Sequence, residues 1–204
     1  LPLTVDENGE VIDGDKIIAI VTKDLKDNGK LKDDTVVVTV MSNIGFFRFC
    51  ENNGIKAEIT AVGDRYVLES MLETGGVIGG EQSGHIIFLD YATTGDGTLA
   101  SVQFINAVKR SGRKVSELAD EITLYPQVLV NAGVRNENKS IYMEDKQIAD
   151  AIRSLEDKMA GDGRVLIRPS GTEPLVRVMI EGTDRDQIAQ DAKDLAQLIE
   201  SKFA

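Results

Sequence analysis

The sequence predicts an α/β three-layer domain followed by a small α+β domain, and two observations predict it. Up to about Leu124, helical and strand-like patterns alternate, which is typical of a layered α/β domain. Beyond Leu124 the order becomes strand, helix, strand, strand, helix, which favours one sheet covered on one face by two helices. We therefore expect the two domains to meet between residues 122 and 123.

The alternating part begins with a helix that Asp13 or Asp15 is expected to cap and that runs to about Asn28. Val36–Val40 is a short β-branched run of the kind that is buried in a parallel sheet. The other elements predicted here are a helix holding Phe46, Phe47 and Phe49, a strand at Ile59–Val62, a helix at Tyr66–Glu73, strands at Val77–Ile78 and Ile86–Leu89, and a helix from Gly95 to Arg110. No internal repeat interrupts the alternation.

The second part has patterns that assign a buried face to each element. In the strand Leu175–Glu181 the β-branched residues occupy alternate positions, so they share one face of the sheet. The other predicted elements are a strand at Pro126–Val134, a helix with Ile148, Ile152, Leu155 and Met159 on one side, a strand at Val165–Arg168, and a last helix with Ile188, Ala192, Leu195 and Ile199 inward. Thr183, with Asp186 three residues later, predicts a capping box at the start of that helix. The polar segment 136–142 is expected to form a loop.

The net charge of -11 limits the partners that the chain can bind. Affinity for nucleic acid and for anionic membrane surfaces comes mainly from clustered lysine and arginine, so both partners are excluded. A small anion responds chiefly to the few donors beside it, because more distant charges are screened. The composition therefore leaves small metabolites as ligands.

The sequence also bears on cellular location. No apolar run approaches the roughly 20 residues of a membrane helix, and the first residues lack the basic and apolar regions of a secretory signal. Cys50 is the single cysteine and cannot form an internal disulfide, which fits the reducing cytoplasm. Leu1–Leu3 runs directly into strand-like sequence, so we expect the natural start of the protein to lie upstream.

The most informative segment is Arg-Pro-Ser-Gly-Thr-Glu-Pro at 168–174, between two predicted strands. A phosphate site needs hydroxyl donors, backbone N–H groups and a planar cation. Ser170 and Thr172 supply hydroxyls, and Arg168 supplies a guanidinium that matches two phosphate oxygens. Gly171 is expected to permit an unusual φ and the close approach of an anion. The same residues also suit an ordinary turn, and composition alone leaves both interpretations open.

A second polar loop, Gly80–His85, lies between two short predicted strands. Glu81 can accept hydrogen bonds from two neighbouring hydroxyls, Ser83 can donate or accept one, and Gly84 keeps the turn tight. These groups suit a sugar. Taken alone, however, the residues favour a solvated turn that only connects the strands.

Both loops resemble those of the α-D-phosphohexomutases. Residues 168–178 are similar to the loop in the last domain of that family that holds the phosphate not being transferred. The resemblance implies that the phosphate is bound by the residues matching this motif, which are Arg168, Ser170, Gly171 and Thr172.

The loop Gly80–His85 resembles the Glu-x-Ser-Gly-His loop of the third domain of the family, which contacts sugar hydroxyls. Here the matching residues are Glu81 and Ser83. Gln82 and the stretch Val62–Val67 are similar to the phosphoglucosamine mutase branch, and the resemblance runs from residue 5 to residue 202. It implies the family's α/β third domain and its small α+β fourth domain.

Two further residues have a role implied by this resemblance. Arg65 would lie in a third active-site loop facing the substrate, and the alternative is a surface arginine at the start of a helix. His85, the only histidine, would lie close to the sugar. Because histidine titrates near neutral pH, it would be an acid/base group, or else a hydrogen-bonded structural residue.

Two parts of the family's catalytic machinery are missing from the sequence. The family uses a phosphorylated serine in its first domain and a carboxylate loop that holds Mg²⁺ in its second domain, and neither motif is present. Asp13–Lys16 lacks the third Asp and the Arg of the metal loop, so we interpret it as a turn and a helix cap. The resemblance therefore divides the chain into a remnant of the second domain (1–16), a sugar-recognition domain (17–122) and a phosphate-binding domain (123–204).

The resemblance implies the function of a longer protein. We expect it to interconvert glucosamine 6-phosphate and glucosamine 1-phosphate through phosphoserine and a bisphosphate, with Mg²⁺ held outside this chain. We expect this fragment alone to be inactive and to bind no cofactor. Its partners would be a sugar phosphate and the missing N-terminal domains, and a homodimer is left open. The alternatives are a phosphomannomutase or phosphoglucomutase, and a non-catalytic module that binds phosphosugars.

Overall fold

The computed structural model of the chain describes residues 3–139 and 141–204. Leu1 and Pro2, which precede the strand-like sequence, and Ser140 of the predicted loop 136–142 lie outside the described residues. The chain forms two compact units, Leu1–Leu124 and Tyr125–Ala204, and each is described by itself. None of the helices in the described part of the chain combines the length and the apolar character that crossing a bilayer requires.

The first unit begins with a two-stranded ribbon and continues as alternating helices and strands. Its elements are β1 (Thr4–Val5), β2 (Val11–Ile12), α1 (Gly14–Asp27), β3 (Thr35–Thr39), α2 (Ile44–Asn52), β4 (Lys56–Thr60), α3 (Asp64–Thr74), β5 (Ile78–Gly80), β6 (Ile86–Phe88), α4 (Gly97–Ser111) and α5 (Val115–Ala119). The first helix starts as predicted, because Asp13 Oδ1 accepts a hydrogen bond from the N–H of Lys16 at 3.0 Å.

The sheet of this unit has the strand order β4-β3-β5-β6. Strand β3 is parallel to both β4 and β5, whereas β6 is antiparallel to β5. Val36 and Val38 of β3 pack in the core with α1, α2, α4 and α5. Val37 points to the opposite face, where it packs with Val67 and Met71 of α3. The predicted α/β three-layer class is confirmed.

Strand β4 covers Lys56–Thr60, earlier in the chain than the predicted strand at Ile59–Val62. The difference has a physical reason. Strand β4 is at the edge of the sheet, and Ile59 is 51% exposed there. Its apolar side chains therefore do not mark the buried face, so the hydrophobic pattern misplaced the strand.

The second unit is a three-stranded antiparallel sheet in the order β7-β9-β8 with two long helices. Its elements are β7 (Gln127–Gly133), α6 (Lys146–Met159), β8 (Gly163–Pro169), β9 (Leu175–Gly182) and α7 (Arg185–Phe203). One face of the sheet packs against both helices, and the core of this unit includes Val176, Val178 and Ile180 of β9 together with Ile188 and Leu195 of α7. The predicted α+β class and the inward faces of these elements are confirmed.

The predicted capping box at Thr183 is wrong. The N-cap of α7 is Asp184, whose side chain accepts hydrogen bonds from the N–H groups of Asp186 at 3.1 Å and Gln187 at 3.0 Å. An aspartate is an equally good cap and lies one residue later, so the first turn forms on its carboxylate.

Candidate functional sites

The loop Glu81–His85 connects β5 to β6 as a tight turn. The N–H of Glu81 donates to the carbonyl of His85 at 2.9 Å, and the N–H of Gly84 donates to the carbonyl of Glu81 at 2.8 Å. Gly84 has φ of +92°, a conformation that a residue with a Cβ adopts only with strain. The turn leaves Ser83 exposed and Glu81 half-buried. The predicted role of Gly84 in keeping the turn tight is confirmed.

The loop between β4 and α3 lies beside the loop Glu81–His85. Strands β4, β3 and β5 are parallel, so the loops after them emerge at the same edge of the sheet. The N–H of Gly63 donates to Glu81 Oε1 at 3.1 Å. His85 Nε2, a buried atom with no hydrogen bond in the described residues, lies 3.4 Å from Asp64 Oδ2. The structure therefore brings Glu81 and His85 together with Gly63 and Asp64, which the sequence had not assigned.

The His85 imidazole packs against the backbone of Gly95. A Cβ on Gly95 would lie 2.3 Å from both Cδ2 and Nε2 of the ring, a separation at which one group has to move. Gly95 therefore leaves the space that the ring fills beside Asp64. This packing fixes the ring, and it suits both a structural and a proton-handling role for His85.

Arg65 follows this loop in the first turn of α3. Its Nε donates to Glu69 Oε1 at 2.8 Å, and 80% of its side chain is exposed. The hydrogen bond and the charge of Glu69 raise the pKa of Arg65 above its ordinary value. The guanidinium is engaged along its own helix, and its predicted contact with a substrate stays a prediction.

The amino end of α1 supports the loop Glu81–His85 directly. The N–H of Gly14 donates to the carbonyl of Gln82 at 3.0 Å. A Cβ on Gly14 would lie 2.4 Å from the carbonyl oxygen of Glu81 and 2.6 Å from the nitrogen of Gly84. Helix and loop are therefore in backbone contact, which only glycine allows at this position.

The acidic residues beside Gly14 have structural roles. Asp13 caps α1, and the buried carboxylate of Asp15 accepts a hydrogen bond from the N–H of Asn43 at 2.7 Å, which ties α1 to the start of α2. Within residues 3–139 and 141–204, no group of three or more acidic, histidine or cysteine side chains is arranged to hold a metal ion. The interpretation of Asp13–Lys16 as a turn and a helix cap is confirmed, and the described residues do not fit a magnesium site.

The loop at 169–174 connects β8 to β9 in the second unit. The N–H of Ser170 donates to the carbonyl of Leu175 at 3.0 Å, and the N–H of Glu173 donates to the buried Ser170 Oγ at 3.2 Å. Gly171 and Thr172 lie exposed at the tip. In the described part of the chain, no acceptor is bonded to their two backbone N–H groups. The loop therefore offers two adjacent N–H donors and two hydroxyls to a ligand.

Gly171 does not use the unusual φ that its missing Cβ permits, because it does not adopt a positive φ. A Cβ at Gly171 would also meet no heavy atom within 4 Å. The fold itself does not require glycine here. The remaining physical reason for a glycine is the close approach of a ligand to the backbone, which stays a prediction.

Two arginines lie side by side behind this tip. Arg168 of β8 and Arg177 of β9 are paired across the antiparallel ladder, so their side chains are neighbours on the sheet face away from the helices. Arg177 also donates to Glu173 Oε2 at 3.3 Å. Like charges in this arrangement repel each other, and a bound anion would relieve the repulsion. The sequence motif alone gives Arg177 no role, although it alternates with the buried Val176 and Val178 and therefore lies on the opposite face of the strand.

Three cavities of the first unit lie away from the loop Glu81–His85. One of about 360 Å³ is lined by the carboxyl half of α1, including Lys23 and Asp27, by Arg110 of α4 and by Arg113, which follows that helix. The loop packs instead on the amino end of α1 at Gly14. The cavity is therefore not part of the candidate sugar site.

Comparison with known proteins finds relatives of similar sequence. The chain is 57% identical over 202 residues to a phosphoglucosamine mutase of Caldicellulosiruptor saccharolyticus, and 59% identical over 201 residues to one of Thermoanaerobacter sp. (strain X514). These alignments cover 99% and 98% of the chain but 45% of each relative. The chain thus spans about half the length of the curated relatives that it matches.

Solved structures show the same fold. An N-acetylglucosamine-phosphate mutase in its substrate complex superposes with a TM-score of 0.76 at 23% identity, over 97% of this chain and 46% of that one. The Aspergillus fumigatus N-acetylphosphoglucosamine mutase, in complex with GlcNAc-6P and magnesium, gives a TM-score of 0.78 at 19% identity, over 99% of this chain and 46% of that one.

The family comparison assigns both units. Residues 13–125 match the alpha/beta/alpha domain III of phosphoglucomutase/phosphomannomutase, and residues 129–198 match the C-terminal domain of the same family. The resemblance seen in the two loops is confirmed over most of the chain. The chain belongs to the phosphoglucomutase/phosphomannomutase family, as its domain III and C-terminal domain.

Proposed function

We propose that this chain is the C-terminal part of a phosphoglucosamine mutase. The complete protein would interconvert glucosamine 6-phosphate and glucosamine 1-phosphate in the cytoplasm. A phosphoserine outside this chain would give its phosphoryl group to the free hydroxyl of the substrate, and the bisphosphate so formed would return its other phosphoryl group to that serine. The identity of 56–59% to proteins of this name supports the choice of amino sugar.

The tip Gly171–Thr172 carries the proposal. Its two unbonded N–H groups, together with the hydroxyls of Ser170 and Thr172 and the guanidinium of Arg168, form the donor set that a phosphate dianion requires. We propose that Arg177 adds a second guanidinium, because it is the cross-strand neighbour of Arg168. An ordinary turn would not need two adjacent arginines behind its tip.

The sugar would be bound by the loop Glu81–His85. One oxygen of Glu81 accepts from the N–H of Gly63, which orients the carboxylate and leaves the other oxygen for a sugar hydroxyl. The exposed Ser83 can bind a further hydroxyl. A reaction in which the intermediate turns round between two transfers needs contacts that serve both orientations. One loop would bind the phosphate that is not transferred, and the other would contact hydroxyls in the middle of the sugar ring. Both kinds of contact can form in either orientation.

His85 is the proposed group for moving a proton near the sugar. Its ring is held between Gly95 and the carboxylate of Asp64, whose Oδ2 lies 3.4 Å from His85 Nε2. Magnesium, which the Aspergillus fumigatus enzyme binds, does not fit the described residues of this chain. We propose that its ligands lie in the remainder of the longer protein.

The phosphate assignment is tested by Arg168→Ala in the complete enzyme. Loss of one or two charge-assisted hydrogen bonds of roughly 1.5–3 kcal/mol each should raise KM by about tenfold or more. Arg153→Ala is the matched control, since Arg153 lies on α6 and is 71% exposed. Unchanged kinetics in Arg168→Ala would remove the phosphate role.

Two further measurements test the substrate preference of the complete enzyme and the inactivity of this chain alone. We expect kcat/KM of the complete enzyme to be highest for glucosamine phosphates among glucosamine, mannose and glucose phosphates, because one amine or hydroxyl contact carries large discrimination. We expect no turnover by the 204-residue chain alone, since it holds neither the serine nor the metal ligands. Turnover by the purified chain would contradict the proposed division of the active site.

A further inference from the structure

A lysine outside the motif of the proposed phosphate loop donates hydrogen bonds to backbone carbonyls of that loop. Lys139 Nζ donates to the carbonyl oxygen of Ser170 at 2.8 Å and also to the carbonyl oxygen of Glu173. These two carbonyls bracket the tip Gly171–Thr172. Lys139 is 31 residues before Ser170 in the sequence, so this contact exists only in the folded unit.

We propose that Lys139 is a positioning residue, which orients the phosphate-binding tip by fixing the peptide group between Ser170 and Gly171. In a planar trans peptide the C=O and the N–H point in opposite directions. A donor that fixes the carbonyl of Ser170 therefore fixes the N–H of Gly171 on the opposite side of the loop. That N–H is one of the two unbonded donors at the tip.

The contact with Glu173 fixes the other end of the tip. The carbonyl of Glu173 accepts from the N–H of Leu175 at 2.8 Å as well as from Lys139. One ammonium group thus holds both ends of a tip that is exposed and bonded to little else. This bonding orders the tip before an anion binds, so binding costs less conformational entropy.

The segment that carries Lys139 is itself anchored. The N–H of Arg135 donates to the carbonyl of Phe203 at 3.0 Å, and Asn138 Nδ2 donates to the same carbonyl at 3.3 Å. The N–H of Val134 donates to the carbonyl of Pro174 at 3.0 Å. The end of α7 thereby fixes the segment, and the segment fixes the loop. A lysine on a mobile tail would not give this orientation.

The role of Lys139 rests on the proposed phosphate role of the loop, and it differs from that of a ligand. Because the ammonium bonds to the carbonyl side, it acts on the anion through the orientation of Gly171 N–H. A variant that keeps two donors should therefore rescue binding, whereas a variant of similar length without donors should not. A residue that only stabilised the fold would change the melting temperature and leave phosphate affinity in the folded protein unchanged.

The test measures binding of inorganic phosphate and of glucosamine 6-phosphate to the 204-residue chain by amide NMR titration. The variants are Lys139→Met and Lys139→Arg, with Lys146→Met as control, since Lys146 is an exposed lysine of the same unit without a side-chain partner in the described residues. Thermal unfolding of each variant is measured in parallel.

For Lys139→Met we expect about a tenfold loss of affinity for both probes, together with a shifted Gly171 amide resonance before ligand is added. Lys139→Arg should recover most of the affinity, and Lys146→Met should match the parent chain. Equal affinity of the parent and Lys139→Met overturns the positioning role and leaves the proposed function standing. Absence of binding by the parent chain overturns the phosphate role itself. If Lys139→Met does not fold, a tenfold loss in Lys139→Arg equally contradicts the proposal.

Discussion

Gly14→Ala tests most directly how the loop Glu81–His85 is supported. The added Cβ would lie 2.4 Å from the carbonyl oxygen of Glu81, 2.5 Å from that of Gln82 and 2.6 Å from the nitrogen of Gly84. All three are backbone atoms, so no side chain can turn away to make room. The loop or the helix α1 has to move as a whole.

The size of the effect follows from these distances. Cβ atoms essentially never approach other heavy atoms more closely than 3.0 Å, so the loop must retreat by about 0.6 Å. That movement lengthens the hydrogen bond from Gly14 N–H to Gln82, now 3.0 Å. Overpacking of this kind costs about 1–3 kcal/mol, and three backbone contacts argue for the upper half of the range. We therefore expect Gly14→Ala to lower the free energy of unfolding of the first unit by about 2–3 kcal/mol and to leave that of the second unit unchanged.

Native-state hydrogen exchange separates the two units. Exchange at Val38, in the buried strand β3, should accelerate roughly 30- to 150-fold in Gly14→Ala, while exchange at Val178 of the second unit stays unchanged. Gly133→Ala is the matched control, because its Cβ would have only an ordinary contact of 3.5 Å with Glu200. Unaltered exchange at Val38 in Gly14→Ala would refute the close packing of helix and loop.

Three further predictions follow from single groups. Burial, and then the nearby negative charges, raise the pKa of Cys50 to about 12. Thiol reagents should therefore react with Cys50 only after unfolding. Between about pH 9 and 12, the stability of the parent chain should fall more steeply with pH than that of Cys50→Ala. The hydrogen bond from Lys202 lowers the pKa of Asp145, so Asp145→Asn should reduce the melting temperature at pH 7, and the reduction should shrink as the pH falls through the lowered pKa and the native carboxylate becomes protonated. Gly95→Ala should shift the ring proton resonances of His85, which one-dimensional NMR identifies because no other histidine is present; unshifted resonances would contradict the ring packing.

Local sequence patterns predicted most of the fold because they report burial. The β-branched core of β3 and the apolar face of α7 follow from period and composition. The pattern failed at Ile59, where an edge strand exposes its apolar side chain. It also missed α5, Val115–Ala119, which is too short to show a helical period. Where burial is not periodic, the sequence carries no such information.

The sequence predicted which loops form the candidate sites, but not which residues contact each other there. The motifs located Glu81 and Ser170 because their residue types and order are unusual. The hydrogen bond from Gly63 to Glu81 and that from Lys139 to Ser170 join segments that are 18 and 31 residues apart. The pairing of Arg168 with Arg177 depends on the register of two strands. Such relations are set by tertiary packing, which no single segment determines.

The distribution of charge shows that a net charge of -11 is compatible with the proposed anion site. Among the residues that the structure describes, four helices begin with an aspartate whose carboxylate accepts backbone N–H groups of the first turn. Negative charge is favourable at that end of a helix, so these carboxylates are compensated locally. Three of the chain's 23 lysines and arginines lie at the proposed phosphate loop, where Lys139, Arg168 and Arg177 contact or flank one tip. Since charges beyond about 8 Å are largely screened at physiological ionic strength, an anion at the tip responds to these three cations far more than to the net charge.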